Sequence, residues 1–103
     1  MEKRKRTYDL EELKRCFSSI GELGSSITST AFRNAQELGF SREDIVACIQ
    51  ALKSSDFYKS MTSQASHKLW QDVYRLRFQG FELYVKFTVK PDGSYLLISF
   101  KEK

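Results

Sequence analysis

The chain predicts an α+β fold in which N-terminal helices pack on one face of an antiparallel sheet. Three observations carry that expectation. Apolar residues recur at helical spacing as far as Leu52, whereas from Tyr58 onward they alternate with a period of two. Two turn sequences, Gln79-Gly80 and the Lys-Pro-Asp-Gly-Ser run at 90–94, separate alternating segments closely enough to make hairpins. The sequence has 103 residues and no repeat, linker or low-complexity tract, so one domain over 1–103 is expected.

Each element has its own signal. Asp9 is placed to cap a first helix, with Glu12 three residues on as a capping-box partner. Leu10, Leu13, Phe17 and Ile20 share one face of it, and Gly21 and Gly24 end the run. Residues 25–28 read as a short strand. Ser29 is expected to cap a second helix with an Ala31, Ala35 and Leu38 stripe, closed by Gly39 in a left-handed conformation. Ser41 and Asp44 open a third, whose buried face uses Ile45, Ile49 and Leu52, with Val46 and Cys48 beside them. Strands are expected over 58–62, 69–78, 81–89 and 95–101. In the third, Phe81, Leu83, Val85, Phe87 and Val89 face inward, and Glu82, Tyr84, Lys86 and Thr88 face out. In the last, Leu96, Ile98 and Phe100 are expected inward, and Leu97, Ser99 and Lys101 outward.

Composition narrows the function classes. With 41% hydrophobic and 29% charged residues, the chain is not of the disordered type. No apolar run approaches the roughly 18–20 residues that span a bilayer, so membrane association is not expected. The basic start, Met1–Arg6, leads into charged sequence rather than an apolar stretch, so a secretory signal is not expected and a cytoplasmic location is. That start is expected to be a solvated, frayed end. Cys16 and Cys48 fall on apolar helix sides and read as two buried thiols. One histidine, His67, and two distant cysteines cannot assemble a usual zinc shell, so neither a metal site nor a cofactor is expected. His67 is expected at the surface, and Trp70 in the core because its parity opposes that of Gln71.

Charge is unevenly spread. Net charge is +3 over residues 1–6, −3 over 7–56 and +4 over 57–103. A basic sheet half and an acidic helical half suit a polyanion meeting the sheet. The outward set is chemically selective: Gln71, Arg75 and Arg77 from one strand, Tyr84 and Lys86 from the next, Ser99 and Lys101 from the last. Cations pair with phosphate, tyrosine stacks on a base or donates its hydroxyl, and glutamine does either hydrogen-bonding job. No Ser-His-Asp set, carboxylate pair or Gly-rich phosphate loop accompanies them.

Four stretches, SDFYKSMT at 55–62, WQDVYR at 70–75, LYVK at 83–86 and ISFKEK at 98–103, follow in that order after ELGF at 37–40. Together with the opening MEKR they resemble the MqsR family of motility quorum-sensing regulator toxins, over essentially the whole chain. The resemblance implies a RelE/YoeB-like α+β fold. It implies an mRNA interferase of a type II toxin–antitoxin system, acting without metal or ribosome and cutting mRNA at short GC-containing sites. It carries the family's active-site positions onto Lys59, Gln71, Tyr84 and Lys101, with Arg75 as a weaker candidate; Arg77 and Lys86, from the outward set read above, are expected beside them as RNA contacts. It also implies a cognate antitoxin with a zinc-binding part and a helix-turn-helix part, the zinc belonging to that partner, and no direct DNA binding by this chain. The segments around RLRFQGFEL and KPDGS depart from the family pattern, which touches loop contacts and sequence preference.

Metal-free RNA cleavage uses the 2′-hydroxyl as nucleophile. It needs a proton acceptor, charge stabilisation at phosphate and a proton for the departing 5′-oxygen. Lys59 and Lys101 suit the charge, or one of them, its pKa lowered by burial or a paired cation, could instead act as base. Tyr84 suits proton donation or phosphate orientation, and Gln71 the orientation of phosphate or ribose, so the residues leave the base open. Two other classes stand beside the enzyme: a non-catalytic single-stranded RNA-binding module on the same face, and a protein-interaction domain for an acidic partner.

Overall fold

The computed structural model describes residues 1–63, 65 and 67–103. In chain order it contains β1 (Glu2–Lys3), α1 (Leu10–Arg15), α2 (Ile20–Leu23), α3 (Ser29–Glu37), α4 (Arg42–Gln50), a 3-10 turn at Ser54–Asp56, β2 (Phe57–Thr62), β3 (Trp70–Phe78), β4 (Phe81–Val89) and β5 (Tyr95–Glu102). The five strands form one antiparallel sheet in the order β1-β2-β3-β4-β5. The α+β expectation holds. Among the described residues no helix is long and apolar enough to cross a membrane.

The helices start where short polar side chains satisfy free N–H groups. At α4 both halves of the Ser41–Asp44 capping box form, at 3.1 and 2.9 Å. At α1 Asp9 instead accepts from the Glu11 N–H at 3.1 Å, so Glu12 completes no box. The single helix expected as far as Ile20 is broken after Arg15. A second begins there because Ser19 caps it, and Ile20 lies 41% exposed rather than buried. Thr28, not Ser29, caps α3, accepting from the Ala31 N–H at 3.2 Å. The strand expected over 25–28 reduces to one parallel bridge, Ile27 to Leu97, with Leu97 bonded to Ser26 and Thr28.

Gln79 (φ 50°) and Gly80 (φ 84°) both take positive φ between β3 and β4, the mirror-image turn whose twist matches flanking strands. Two irregularities interrupt the ladders. Phe57 pairs with Tyr74 and Lys59 with Val73, leaving Tyr58 as an extra residue in β2. Lys86 pairs with Ser99 and Phe87 with Leu97, leaving Ile98 extra in β5. The second bulge corrects the expected facing of β5: upstream of it parity is reversed, so Leu97 is buried and Leu96 only half-buried, while Phe100, Ser99 and Lys101 keep their predicted sides.

One core joins the helices to the sheet: Leu13, Phe17, Leu23, Ala31, Ala35, Ile45, Cys48, Ile49 and Leu52 meet Tyr74, Leu83, Val85, Phe87, Leu97 and Phe100. Cys48 is buried as expected but Cys16 is only half-buried, and both thiols are free. Burial, aided by the Asp56 charge, pushes the Cys48 thiol up to about 12. His67 is exposed. Trp70 is not part of the core; it is half-buried, with the Lys3 ammonium 4.1 Å above its ring.

The largest departure is the N-terminal run. It is a strap, not a frayed end. Glu2 and Lys3 pair with Met61 and Ser60. The Arg4 and Arg6 guanidiniums donate to the Tyr58 carbonyl and the Ser54 hydroxyl at 3.3 and 3.2 Å. The buried Asp72 carboxylate then accepts from the Thr7 and Tyr8 backbone N–H groups at 3.0 and 2.9 Å, fixing the chain just ahead of α1.

Candidate functional site

The face of the sheet away from the helices is read in cross-strand rows. One row runs Lys59–Val73–Lys86–Ser99 across β2 to β5; the next runs Arg75–Tyr84–Lys101. Tyr58, the extra residue of the β2 bulge, stands on this face beside the second row, its ring centroid 6.2 Å from that of Tyr84. A bulge lets adjacent residues share a face, which is why Tyr58 and Lys59 both reach it. Val73 lies between Lys59 and Lys86 in its row. It is short, so a hollow of about 300 Å³ opens there, lined by Tyr58, Lys59, Met61, Val73, Tyr84, Lys86 and Lys101.

Of the sequence-predicted residues, Lys59, Tyr84, Lys86 and Lys101 line this hollow. Gln71 lies on the same face and pairs with Met61, so it stands at the rim rather than in the lining. Arg75 stacks on Tyr58 at 3.9 Å and opens onto a second recess with Arg77, Lys103, Asp56 and Glu82. Arg77 is drawn toward Glu82, 3.3 Å away, at the far end of the hairpin; it is the predicted contact most removed from the hollow.

Two participants were missed by alternation. Tyr58 gathers cations: besides Arg75, the Arg4 guanidinium and the Lys59 ammonium lie 5.5 and 5.3 Å from its ring centroid. Its signal lay in the resemblance motif, next to Lys59. Glu2 forms an ion pair with Lys59, whose side chain is 20% exposed against 51% for Glu2. That hydrogen bond and charge hold the Glu2 carboxyl below its usual range. Burial, then the Lys101 and Lys59 charges, push the Lys86 ammonium below the ordinary lysine range. The hollow therefore concentrates positive charge beside two phenols, a setting that fits a phosphodiester of single-stranded nucleic acid. Among the described residues no cluster of His, Cys, Asp and Glu could hold a metal ion.

Comparison with known proteins decides the family. The family model for the motility quorum-sensing regulator, toxin of MqsA, matches residues 5–102. This chain belongs to that toxin family. It is also similar to the mRNA interferase toxin MqsR of Escherichia coli strain K12, 42% identical over 103 residues that cover 100% of each chain. The MqsR-family match thus includes the strap from Lys5, the helical layer and all four long strands.

Proposed function

We propose that the chain is an mRNA interferase, an endoribonuclease that cuts single-stranded mRNA at short GC-containing sites without metal or ribosome. The observation that carries this reading is the convergence of Lys59, Tyr84 and Lys101 from three strands on one hollow, in a member of a toxin family with an mRNA interferase relative. Lys59 and Lys101 stabilise charge on the non-bridging oxygens. Tyr84 protonates the departing 5′-oxygen, Gln71 orients phosphate or ribose from the rim, Arg75 and Arg77 add phosphate contacts, and Lys86 contacts the RNA from within the hollow. Pre-placed cations do the work of a Lewis acid here, since charge develops where the ammonium groups already stand.

The family description names an antitoxin, MqsA. The partner of this chain is accordingly an antitoxin, zinc-binding and with a helix-turn-helix part, and the outer edge of β5 beyond the Ile27 bridge offers backbone groups for it. Residues 1–103 act as one domain, in the cytoplasm, without contacting DNA themselves.

The test is cleavage of a GC-containing RNA oligonucleotide by purified protein in EDTA. The expected products carry a 2′,3′-cyclic phosphate and a 5′-hydroxyl. Lys59→Ala and Tyr84→Phe each slow single-turnover cleavage by about 10²–10³, the usual loss for one pre-organised donor, with unchanged thermal unfolding. RNA retained but uncut by the wild-type chain would reduce the site to a binding surface. Wild-type rates in folded Lys59→Ala would remove that residue from the chemistry.

A further inference from the structure

We propose that Lys86 is the base of the reaction, the group that takes the 2′-hydroxyl proton; this rests on the endoribonuclease reading of the same hollow. Lys86 sits on β4, with strands on both sides. Lys59 lies across Val73 in the same row, and Lys101 lies in the adjoining row opposite Tyr84. All three lysines line the hollow that a phosphodiester would fill.

The three amines are not equivalent. Lys59 is held by the Glu2 carboxylate. Lys101 is exposed, near the end of β5. Lys86 is half-buried and has no hydrogen-bond or ion-pair partner among the described residues. The charged and titratable groups around it are Lys59 and Tyr58 from β2, Arg75 from β3, Tyr84 from its own strand and Lys101 from β5. Among the described residues the carboxylate nearby is that of Glu2 from β1, and it is turned to Lys59. Cations outnumber anions around Lys86, and burial acts in the same direction, so its amine gives up a proton more readily than a solvated lysine does. An amine that sheds its own proton readily among fixed cations is suited to take one from the substrate while its neighbours hold the phosphate.

The step balances. The 2′-hydroxyl proton passes to Nζ of Lys86 as the O2′–P bond forms. The P–O5′ bond breaks, its electron pair goes to O5′, and O5′ takes the Tyr84 phenol proton. Lys86 then returns a proton to solvent and Tyr84 recovers one, leaving a cyclic phosphate and a 5′-hydroxyl.

The experiment is single-turnover cleavage, across pH, of an RNA oligonucleotide with one cut site. The wild-type rate is expected to rise with pH as Lys86 deprotonates, and to level off below the range of a free lysine. Lys86→Arg keeps the charge but cannot shed its proton; it and Lys86→Gln are each expected to lose about 10²–10⁴ in rate. Lys86→Arg is expected to retain the same RNA, made uncleavable by one 2′-deoxy substitution at the cut site, at least as tightly as the wild-type chain does. Placing sulfur at the bridging 5′ position supplies a leaving group that needs no proton, and the Lys86→Arg defect is expected to persist on it. Lys86→Arg cutting at the wild-type rate with the wild-type pH profile would overturn the assignment. So would a defect that vanishes on the sulfur substrate, which would make Lys86 the acid. A wild-type chain that cuts nothing, or Lys59→Ala and Tyr84→Phe at full speed, strikes the site reading itself and this assignment with it.

Discussion

At the rim of the hollow a glutamate from β1 meets the Lys59 ammonium. Any phosphate reaching Lys59 must share or displace that carboxylate, so Glu2 competes with substrate. Glu2→Gln is expected to tighten binding of an uncleavable deoxy-substituted oligonucleotide by roughly two- to fivefold, the scale of one exposed ion pair. Filter retention or fluorescence anisotropy reads this directly. The gain has a pH signature. Because the Glu2 carboxyl is held below its usual range, the wild-type pair persists above that lowered pKa and is lost as pH falls through it. The difference between wild type and variant is therefore present at neutral pH and disappears in acid. Equal affinities at neutral pH would show that the carboxylate does not obstruct the hollow.

Among the elements, the strap formed by residues 1–9 depends most on a single side chain. Asp72 faces the helical layer, on the opposite side of β3 from Gln71, and is fully buried. Its oxygens take two backbone N–H groups of the strap, while Thr7 meets the buried Ser60 hydroxyl at 2.8 Å and the Tyr8 hydroxyl donates to the Trp70 carbonyl at 2.6 Å. Asp72→Ala leaves those N–H groups without an acceptor. It is expected to cost about 2–6 kcal/mol, one to three for each of the two stranded groups. Urea unfolding measures the loss, and trypsin is expected to cut the 3–6 segment before the core opens. An unchanged midpoint would mean that the strap is held elsewhere.

What was legible follows from the same forces. α4, the Gln79-Gly80 turn and the facing of β4 as far as Phe87 could be read directly, because a capping box, a glycine-bearing turn and clean alternation each have one local cause. Tyr84, Lys86 and Lys101 were placed for that reason. Thr88, expected outward, is instead buried, its hydroxyl donating to the Trp70 carbonyl at 2.9 Å. The strap was not legible: its partners lie at Asp72, Ser60 and Tyr58, more than fifty positions away along the chain, and a basic run carries no sign of them. Tyr58 and the upstream half of β5 escaped because each lies at or next to an extra residue that breaks alternation. Asp72 stood inside a quoted motif, yet its position one residue from Gln71 gave no hint that the two serve opposite faces.

Over the whole molecule, charge follows the layers. The segment carrying α1 to α4 is net negative and the segment carrying β2 to β5 net positive, so a polyanion is drawn to the sheet and turned away from the helices. If Lys59, Arg75 and Lys101 each neutralise one phosphate, log affinity for single-stranded RNA should fall with log salt at a slope of about −2. A salt titration of binding checks this. A flat response, or no affinity at low salt, would favour a docking role toward protein. The molecule also carries a spare residue at this face. With Tyr58 excised, Phe57 and Lys59 would still meet Tyr74 and Val73, now in an unbroken ladder, and both would keep their sides. The sheet thus closes without position 58. A shortening of the chain by one residue there would leave the sheet standing and take away the ring that lies between three cations and a second phenol, together with the carbonyl to which Arg4 donates.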